Sequence, residues 1–230
     1  MSPEKLTLLL DSSASPLLVA AARNEQIFTS KRSGIKQEKL LFPMLARVLQ
    51  KAGGEMADVG RIFIVRGPGR FTGIRIALTF ASMMQYLNRC DVRGATLFEV
   101  LRFQTEHSRA FGWWKKQNPE GVIGVVLHAF REEYFLQIFS PDNPAPLWLS
   151  RGELLARLAA FGQPLYLTGT DKNGGPLASL VGADFTVAPQ ADCVVRPSAL
   201  LQMANEEKYR TDALEPLYLK PARFELVTPK

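Results

Sequence analysis

Residues 66–75 read RGPGRFTGIR, a glycine-rich turn between an apolar run and a helical pattern. The run 62–65 is IFIV, which is typical of a strand buried on both faces. Beyond the turn, apolar residues recur at spacings of three and four, as on one face of a helix: Ile74, Ala77, Leu78, Ala81 and Met84. The stretch therefore predicts a buried strand, a tight turn and a long helix, a unit of layered α/β domains.

Two interpretations of this turn are open. A glycine-rich turn at a helix N-terminus can present backbone amides to a phosphate group. Residues 66–75 match neither the Walker A loop nor the dinucleotide-binding fingerprint. Alternatively, Gly67 and Gly69 adopt backbone angles that other residues resist, and Thr72 caps the helix. No lysine or acidic metal ligand stands beside the loop, which favours the second interpretation.

The flanking sequence extends this unit in both directions. Upstream, apolar patterns bounded by turn residues predict three strands and then a helix closed by two glycines, at 5–10, 17–23, 26–31 and 38–52. Downstream, a strand at 92–95 and a helix at 97–107 complete the first half. Residues 108–121 have weak periodicity and are predicted to link it to a second α/β half, with strands at 122–127, 134–140 and 165–168 and helices at 150–161 and 197–209. The predicted domains are 1–107 and 108–230.

Composition and charge limit the class of protein. The chain has 230 residues, of which 47% are hydrophobic, and this composition excludes collagen-like and largely disordered proteins. No apolar run reaches the roughly 18 residues of a membrane span, and the start does not resemble a signal peptide. Two cysteines are too few for a disulfide framework, which favours the cytoplasm. The net charge of +6 lies entirely in residues 1–107, which hold 15 basic and 9 acidic residues. That half is expected to attract an acidic or phosphate-bearing partner.

The sequence gives little support for catalysis. Its two histidines, His107 and His128, lack the spacing of a helical metal site, and no Ser, His and Asp set follows from spacing. We therefore predict no catalytic residue, no metal and no cofactor. Asp11 and Ser12 follow an apolar strand and, together with the two glycines of the turn, form a possible phosphate-binding set: Asp11, Ser12, Gly67 and Gly69.

Residues 67–75, GPGRFTGIR, resemble the signature Gly-Pro-Gly-Ser-Phe-Thr-Gly-hydrophobic-Arg of the TsaB (YeaZ) family. Three weaker stretches agree with that family in order and spacing: LLLDSS at 8–13, LLFPM at 40–44 and EPLYLK at 215–220. The resemblance thus covers nearly the whole chain. It implies an α/β fold of the actin-like ATPase superfold, with two lobes that each hold a mixed sheet flanked by helices.

The resemblance also implies a function. Members of this family are similar in acting as non-catalytic scaffold subunits that dimerise with TsaD in the formation of N6-threonylcarbamoyladenosine on tRNA. They contact tRNA through the complex, have TsaE as a further complex member, form a homodimer when alone and have no membrane association. Two helices, at about 37–52 and 72–88, would carry the partner interface, with these residues as candidates: Leu41, Met44, Leu45, Val48, Arg70, Phe71, Arg75, Phe80, Met83 and Met84.

Departures from the family pattern keep alternatives open. Gln37 stands where relatives often have histidine, His128 begins a stretch that differs from the usual Asp-Ala-Arg, and Arg70 replaces a serine. One alternative is an ATP-binding enzyme of the same superfold, with Asp11 near the metal and the loop 169–175 at adenosine. The other is a direct tRNA-binding module that uses the basic first half.

Overall fold

The structure is a computed structural model that describes residues 5–34, 37–142, 144–181, 185–211 and 214–220. It divides into two compact units. The first contains the chain up to Val100 and the segment Arg196–Leu217, and the second contains Leu101–Val195 and the segment from Tyr218 onward. Each unit is built on a five-stranded mixed sheet.

The first unit begins with an antiparallel meander and continues with parallel strands. Its elements are β1 (Leu6–Asp11), β2 (Leu17–Arg23), β3 (Gln26–Arg32), α1 (Gln37–Lys51), β4 (Val59–Val65), α2 (Phe71–Asn88), β5 (Asp91–Ala95) and α3 (Leu97–Glu106), which ends in the second unit. The strand order is β3-β2-β1-β4-β5. β1 pairs antiparallel with β2 and parallel with β4, and β5 pairs parallel with β4. The meander and both long helices predicted from the sequence are confirmed.

The core of the first unit lies between its sheet and the helices α1 and α2. The alternate side chains Leu6, Leu8 and Leu10 of β1 enter a cluster with apolar residues of both helices. This is the period-two pattern of a strand, with one set of side chains on each face. Gly53 ends α1 with a positive φ of 68°, and the amide of Gly54 donates to the carbonyl of Leu49, as expected for a glycine C-cap.

A late segment of the chain returns to the first unit, which the sequence did not predict. The helix Pro197–Ala204 packs against β1 and β4, and Arg93 of β5 forms ion pairs with Asp91 at 2.9 Å and with Glu207 at 2.7 Å. Arg93 is 5% exposed. Partial burial acts to raise the pKa of Asp91, but hydrogen bonds from Arg93 and Arg61 outweigh it and hold that pKa below its usual value. These contacts fasten residues 205–211 to the edge strand β5.

The second unit has the strand order β10-β9-β6-β7-β8. Its elements are α4 (Arg109–Gln117), β6 (Val122–Phe130), β7 (Glu133–Phe139), β8 (Leu147–Ser150), α5 (Arg151–Ala159), β9 (Leu165–Thr170), α6 (Ala178–Val181) and β10 (Thr186–Val187); the returning helix Pro197–Ala204 of the first unit is α7. The predicted capping box of Ser150 and Glu153 at the start of α5 is confirmed. The predicted linker at 108–121 is wrong, because Ser108 caps α4 and accepts a hydrogen bond from the amide of Phe111.

Candidate functional site

The signature turn of residues 66–70 packs backbone against backbone. The amide of Arg70 donates to the carbonyl of Ser13 at 2.7 Å, and the amide of Leu97 donates to the carbonyl of Gly67 at 2.6 Å. A Cβ on Gly69 would lie 2.1 Å from the Ser13 carbonyl oxygen, so only glycine fits. The turn is thus fixed between the turn after β1 and the start of α3. Helix α2 begins at Phe71, and its N-cap is Arg70, two residues before the predicted cap Thr72.

Asp11 and Ser12, two of the possible phosphate-binding residues, are buried at the end of β1. Asp11 is 4% exposed, and its Oδ1 accepts hydrogen bonds from the amide and the hydroxyl of Ser13, at 2.9 and 2.5 Å. Burial raises the pKa of the Asp11 carboxyl, although the Ser13 hydrogen bonds and the charge of Lys31 oppose the shift. Asp11 therefore stabilises a local turn. Phosphate binding by this set stays a prediction.

The Ser12 hydroxyl has a different environment. It is 2% exposed and finds no hydrogen-bond partner among the described residues. It lines a small cleft next to the first turns of α2, together with Leu17, Leu41, Gly73 and Ile76. Because most of this lining is apolar, the cleft offers few groups that would bind a charged ligand.

The two candidate arginines near the turn make separate contacts. The guanidinium of Arg70 donates through Nη1 to the carbonyl of Gly34 at 3.1 Å. The guanidinium carbon of Arg75 lies 3.8 Å from the ring centroid of Phe71, one helical turn earlier, as in a cation–π pair. Phe71 is 44% exposed, so this pair lies at the surface at the start of α2.

Most of the predicted interface residues belong to the core of the first unit. Six of them are at most 4% exposed and lie in the cluster between the helices and the sheet: Leu41, Met44, Leu45, Val48, Phe80 and Met84. Periodicity grouped them correctly on one face of each helix, but that face covers the unit's own sheet. A partner could reach them only if the unit opened.

Five large apolar side chains of these helices are exposed, and we call them together the α1–α2 face: Phe42, Phe71, Met83, Tyr86 and Leu87. Their exposed fractions run from 44% for Phe71 and Met83 to 83% for Tyr86. The Phe42 ring meets the buried Phe80 ring edge to face at 6.0 Å, which joins the two helices. On α2, Met83 and Leu87 are four residues apart and so neighbours along the helix. Phe42, Tyr86 and Leu87 are not among the ten predicted interface residues, although the four-residue spacing of Leu87 from Met83 was a usable signal.

In the second unit, the loop 169–175 closes on itself. The amides of Asp171 and Gly174 bond to the carbonyls of Gly175 and Asp171, at 3.0 and 3.1 Å. The buried Tyr134 hydroxyl donates to Oδ1 of Asp171 at 2.7 Å. Gly169 allows β9 to approach β6, since a Cβ there would lie 1.8 Å from the Val126 carbonyl oxygen. The loop's polar groups thus serve the turn itself, and adenosine binding at this loop stays a prediction.

The remaining candidate groups are dispersed. Within the described residues, no three His, Cys, Asp or Glu side chains are grouped so as to hold a metal ion, and no helix is long and apolar enough to cross a bilayer. Cys90 and Cys193 are free, buried thiols, and burial raises the pKa of both. His128 contacts the carbonyl of Arg131 through Nε2 at 2.9 Å. Gln37 is the first residue of α1, and its side chain lies outside the described part of the structure.

Comparisons with known proteins agree with the sequence resemblance. A family model described as "TsaD: tRNA N6-adenosine threonylcarbamoyltransferase" matches residues 20–105, less than half of the chain. The "tRNA threonylcarbamoyladenosine biosynthesis protein TsaB" of Buchnera aphidicola subsp. Schizaphis graminum (strain Sg) is 26% identical over 122 residues, or 53% of this chain and 54% of that protein. A protein of the same name from Bacillus subtilis (strain 168) is 21% identical over 233 residues and 95% of each chain. In two further matches to proteins of this name, as in the Buchnera match, the chain spans about half the length of the curated relative, 41% in one and 55% in the other.

A solved structure extends the comparison to the fold. The structure titled "YeaZ from Pseudomonas aeruginosa" superimposes with a TM-score of 0.64 at 18% identity, covering 94% of this chain and 100% of that chain. Together with the two mixed sheets, this match confirms the predicted α/β fold of the actin-like superfold.

Proposed function

We propose that this chain, a divergent member of the TsaB/YeaZ family, takes part in tRNA threonylcarbamoyladenosine biosynthesis as a non-catalytic subunit that binds TsaD. The names of the curated relatives support the pathway. The observation that carries the subunit role is the α1–α2 face, where five large apolar side chains are exposed on two adjacent helices. Apolar surface of this kind marks interaction sites, because exposing it to water is unfavourable.

The proposed docking uses the exposed side chains rather than the buried ones. Tyr86 and Leu87 are 83% and 63% exposed, and a partner that covered them would remove most of their apolar surface from water. Tyr is also among the residue types enriched at the energetic centres of interfaces. Contact with tRNA through the complex, participation of TsaE and a homodimer in the absence of TsaD are further parts of the proposal.

A binding experiment with one altered residue tests the proposal. Leu87→Asp places a carboxylate in the α1–α2 face, and because the side chain is exposed, folding is expected to be unchanged. We expect isothermal titration against TsaD of the same organism to show at least about a tenfold loss of affinity. Trp113→Asp is the matched control, because Trp113 is 69% exposed on α4 of the other unit and lies outside the proposed face.

Two results would contradict the proposal. If the unaltered chain does not bind TsaD at all, the subunit role is wrong. If Leu87→Asp and Trp113→Asp bind TsaD equally well, docking does not use the α1–α2 face. A substitution at Met84 is unsuitable for this purpose, because Met84 is 3% exposed and a charge there would disrupt the core.

A further inference from the structure

One side of the helix α4 exposes a tryptophan between two cations. Arg109, Trp113 and Lys116 follow one another at spacings of four and three residues, so they lie on the same side of the helix. All three are exposed, and Trp113 is 69% exposed. Arg109 and Lys116 are separated by roughly 10 Å along the helix axis, with Trp113 between them. We call these three residues the α4 platform.

The opposite side of α4 fastens the helix to the second unit. Phe111 and Trp114 are 8% and 7% exposed, and their ring centroids lie 5.3 and 5.1 Å from that of Tyr166. The indole Nε1 of Trp114 donates a hydrogen bond to Oγ1 of Thr186 at 3.1 Å. These contacts hold the helix in place without Trp113, so the core does not explain the exposed indole.

The two cations of the α4 platform are available to a ligand. Within the described residues, neither Arg109 nor Lys116 forms an ion pair or a side-chain hydrogen bond. Residues 108–119 contain three basic residues and no acidic residue. Glu106, which precedes them, pairs with Arg102 at 2.8 Å. The platform thus carries unpaired positive charge, although the second half of the sequence has no net charge.

The residues next to Trp113 leave its surroundings open. A Cβ on Gly112 would have no heavy atom within 4 Å, so the space at that position is empty of side chains. The Nζ of Lys115 donates to the carbonyl of Gly121 at 2.6 Å, in the turn after α4. Glycine is less favourable than alanine inside a helix, so helix propensity does not explain Gly112, whereas close approach of a flat ligand to the indole would.

We infer that the α4 platform binds a single-stranded segment of RNA, with one unpaired base stacked on Trp113 and backbone phosphates paired with Arg109 and Lys116. Any base can stack on an exposed aromatic ring, and cations beside the ring neutralise the phosphates. The base must be unpaired, since bases within a duplex are already stacked on their neighbours. The inference rests on the proposed function, because the names of the relatives refer to tRNA. It places a direct tRNA contact on this chain, away from the α1–α2 face.

The composition of the platform favours RNA over a lipid surface. A helix that lies in a membrane interface buries a whole apolar face in the lipid. The large apolar residues Phe111 and Trp114 of α4 belong to the core of the unit, and Trp113 is the single large apolar side chain on the exposed side. One ring between two cations matches a stacked base and its phosphates more closely than it matches lipid tails.

Binding of labelled RNA to the full chain, followed by fluorescence anisotropy, tests the inference. The probes are a tRNA transcript and single-stranded and duplex RNAs of equal length, each measured between about 50 and 200 mM NaCl. Trp113→Ala removes the ring, Trp113→Phe retains an aromatic ring, and Arg109→Gln/Lys116→Gln removes both charges. Affinity for TsaD is measured on the same variants by isothermal titration, and circular dichroism verifies that each variant is folded.

Two exposed sites of the same unit provide matched controls. Phe130→Ala removes an aromatic side chain that is 49% exposed and already has the guanidinium of Arg131 5.1 Å from its ring centroid. Arg151→Gln/Arg157→Gln removes two exposed charges of α5. Both controls should bind RNA as the unaltered chain does.

The expected results separate stacking from charge. Trp113→Ala should weaken binding of tRNA and of single-stranded RNA about fivefold or more, and Trp113→Phe should retain most of the affinity. Arg109→Gln/Lys116→Gln should reduce the slope of log K against log salt concentration by about 1.4, or about 0.7 for each phosphate contact. Duplex RNA should bind more weakly than single-stranded RNA, and TsaD affinity should be the same for all these variants.

Several outcomes would overturn the inference. These are no binding of RNA, equal binding by Trp113→Ala and Phe130→Ala, or an unchanged salt slope in Arg109→Gln/Lys116→Gln. If Trp113→Ala loses binding to phosphatidylserine-containing vesicles but not to RNA, the platform binds lipid instead. If it loses TsaD affinity but not RNA affinity, the platform is a protein contact. Failure of the unaltered chain to bind TsaD would overturn the proposed function and leave the RNA results to decide this inference separately.

Discussion

Replacing Gly69 with alanine tests the close backbone packing of the signature turn. The new Cβ would lie 2.1 Å from the carbonyl oxygen of Ser13 and 2.7 Å from its carbonyl carbon. Both are backbone atoms, so no side-chain rotation can relieve the overlap. The two segments would have to separate, and the hydrogen bond from the Arg70 amide to the same carbonyl oxygen, 2.7 Å long, would be lost or stretched.

The expected cost combines three contributions. Backbone strain at a positive φ costs about 1–2 kcal/mol, forced overpacking about 1–3 kcal/mol, and a lost hydrogen bond about 1 kcal/mol. Because these contributions overlap, we expect Gly69→Ala to lower the free energy of unfolding by about 3–5 kcal/mol. For a chain of this length, each kcal/mol corresponds to about 2–4 °C in Tm, so the melting temperature should fall by roughly 6–20 °C.

Two other glycines provide matched controls. Gly53 has a φ of 68° but no heavy atom within 4 Å of its Cβ position, so Gly53→Ala has the backbone strain without the overlap. Gly112 lies inside α4 and also has open space. There alanine should raise the stability by up to about 1 kcal/mol. The expected order of stability is therefore Gly112→Ala, then Gly53→Ala, then Gly69→Ala.

The assay must report on the first unit. All three tryptophans, Trp113, Trp114 and Trp148, lie in the second unit, so their fluorescence follows that unit. Urea unfolding is therefore followed by far-UV circular dichroism, and hydrogen exchange measures protection of the Arg70 amide. A Gly69→Ala variant as stable as Gly53→Ala, with that amide still protected, would refute the packing argument.

Three further substitutions test individual contacts. Burial raises the pKa of Asp11, so its ionised form opposes folding above the unfolded-chain pKa of about 3.9. Asp11→Asn should therefore melt at a higher temperature than the unaltered chain at pH 7, and the two melting temperatures should be equal near pH 3. An advantage independent of pH would contradict this cause. Arg93→Met should lower the free energy of unfolding by about 1–3 kcal/mol at pH 7, since both partner carboxylates are partly exposed. This loss should become smaller as the pH falls below the lowered pKa of Asp91, because the protonated carboxyl no longer pairs with Arg93. Urea unfolding followed by circular dichroism measures the loss at both pH values. An unchanged midpoint at pH 7 would show that the pairs add no stability. Tyr134→Phe removes the hydrogen bond to Asp171 and should lower the free energy of unfolding by about 1–2 kcal/mol, measured by urea unfolding followed by tryptophan fluorescence. An unchanged unfolding midpoint would show that water replaces the hydroxyl at no cost.

Local sequence patterns predicted most strands and helices of the first unit, because residues that are close together in the chain determine where each of them begins and ends. The apolar run before residue 66 became β4, the helical pattern after residue 70 became α2, and the two glycines at 53 and 54 ended α1. The helix α4 was missed because its polar composition obscured two buried positions three residues apart, Phe111 and Trp114. The return of α7 to the first sheet depends on contacts between residues far apart in the chain, which periodicity does not contain.

The candidate interface shows a different limit of sequence reasoning. A helical pattern identifies the apolar face of a helix but not the surface which that face covers. On α1 and α2, the regular pattern of Leu45, Val48 and Ala81 belongs to the core, and the residues outside that pattern, Phe42 and Tyr86, are exposed. Large apolar residues that break the core pattern are therefore the better sequence signal for exposed apolar surface on these helices.

The signature turn and the proposed docking surface have separable physical roles. The turn fixes the start of α2 through the hydrogen bond from the Arg70 amide to the Ser13 carbonyl, and further along this helix Phe80 contacts Phe42 of α1. A change at Gly69 should therefore reduce TsaD binding only as far as it reduces the folded fraction. A change at Leu87 should reduce binding without reducing stability. If the turn and the docking surface are separable in this way, a plot of TsaD affinity against the free energy of unfolding will place variants of the turn and variants of the docking surface on two different trends.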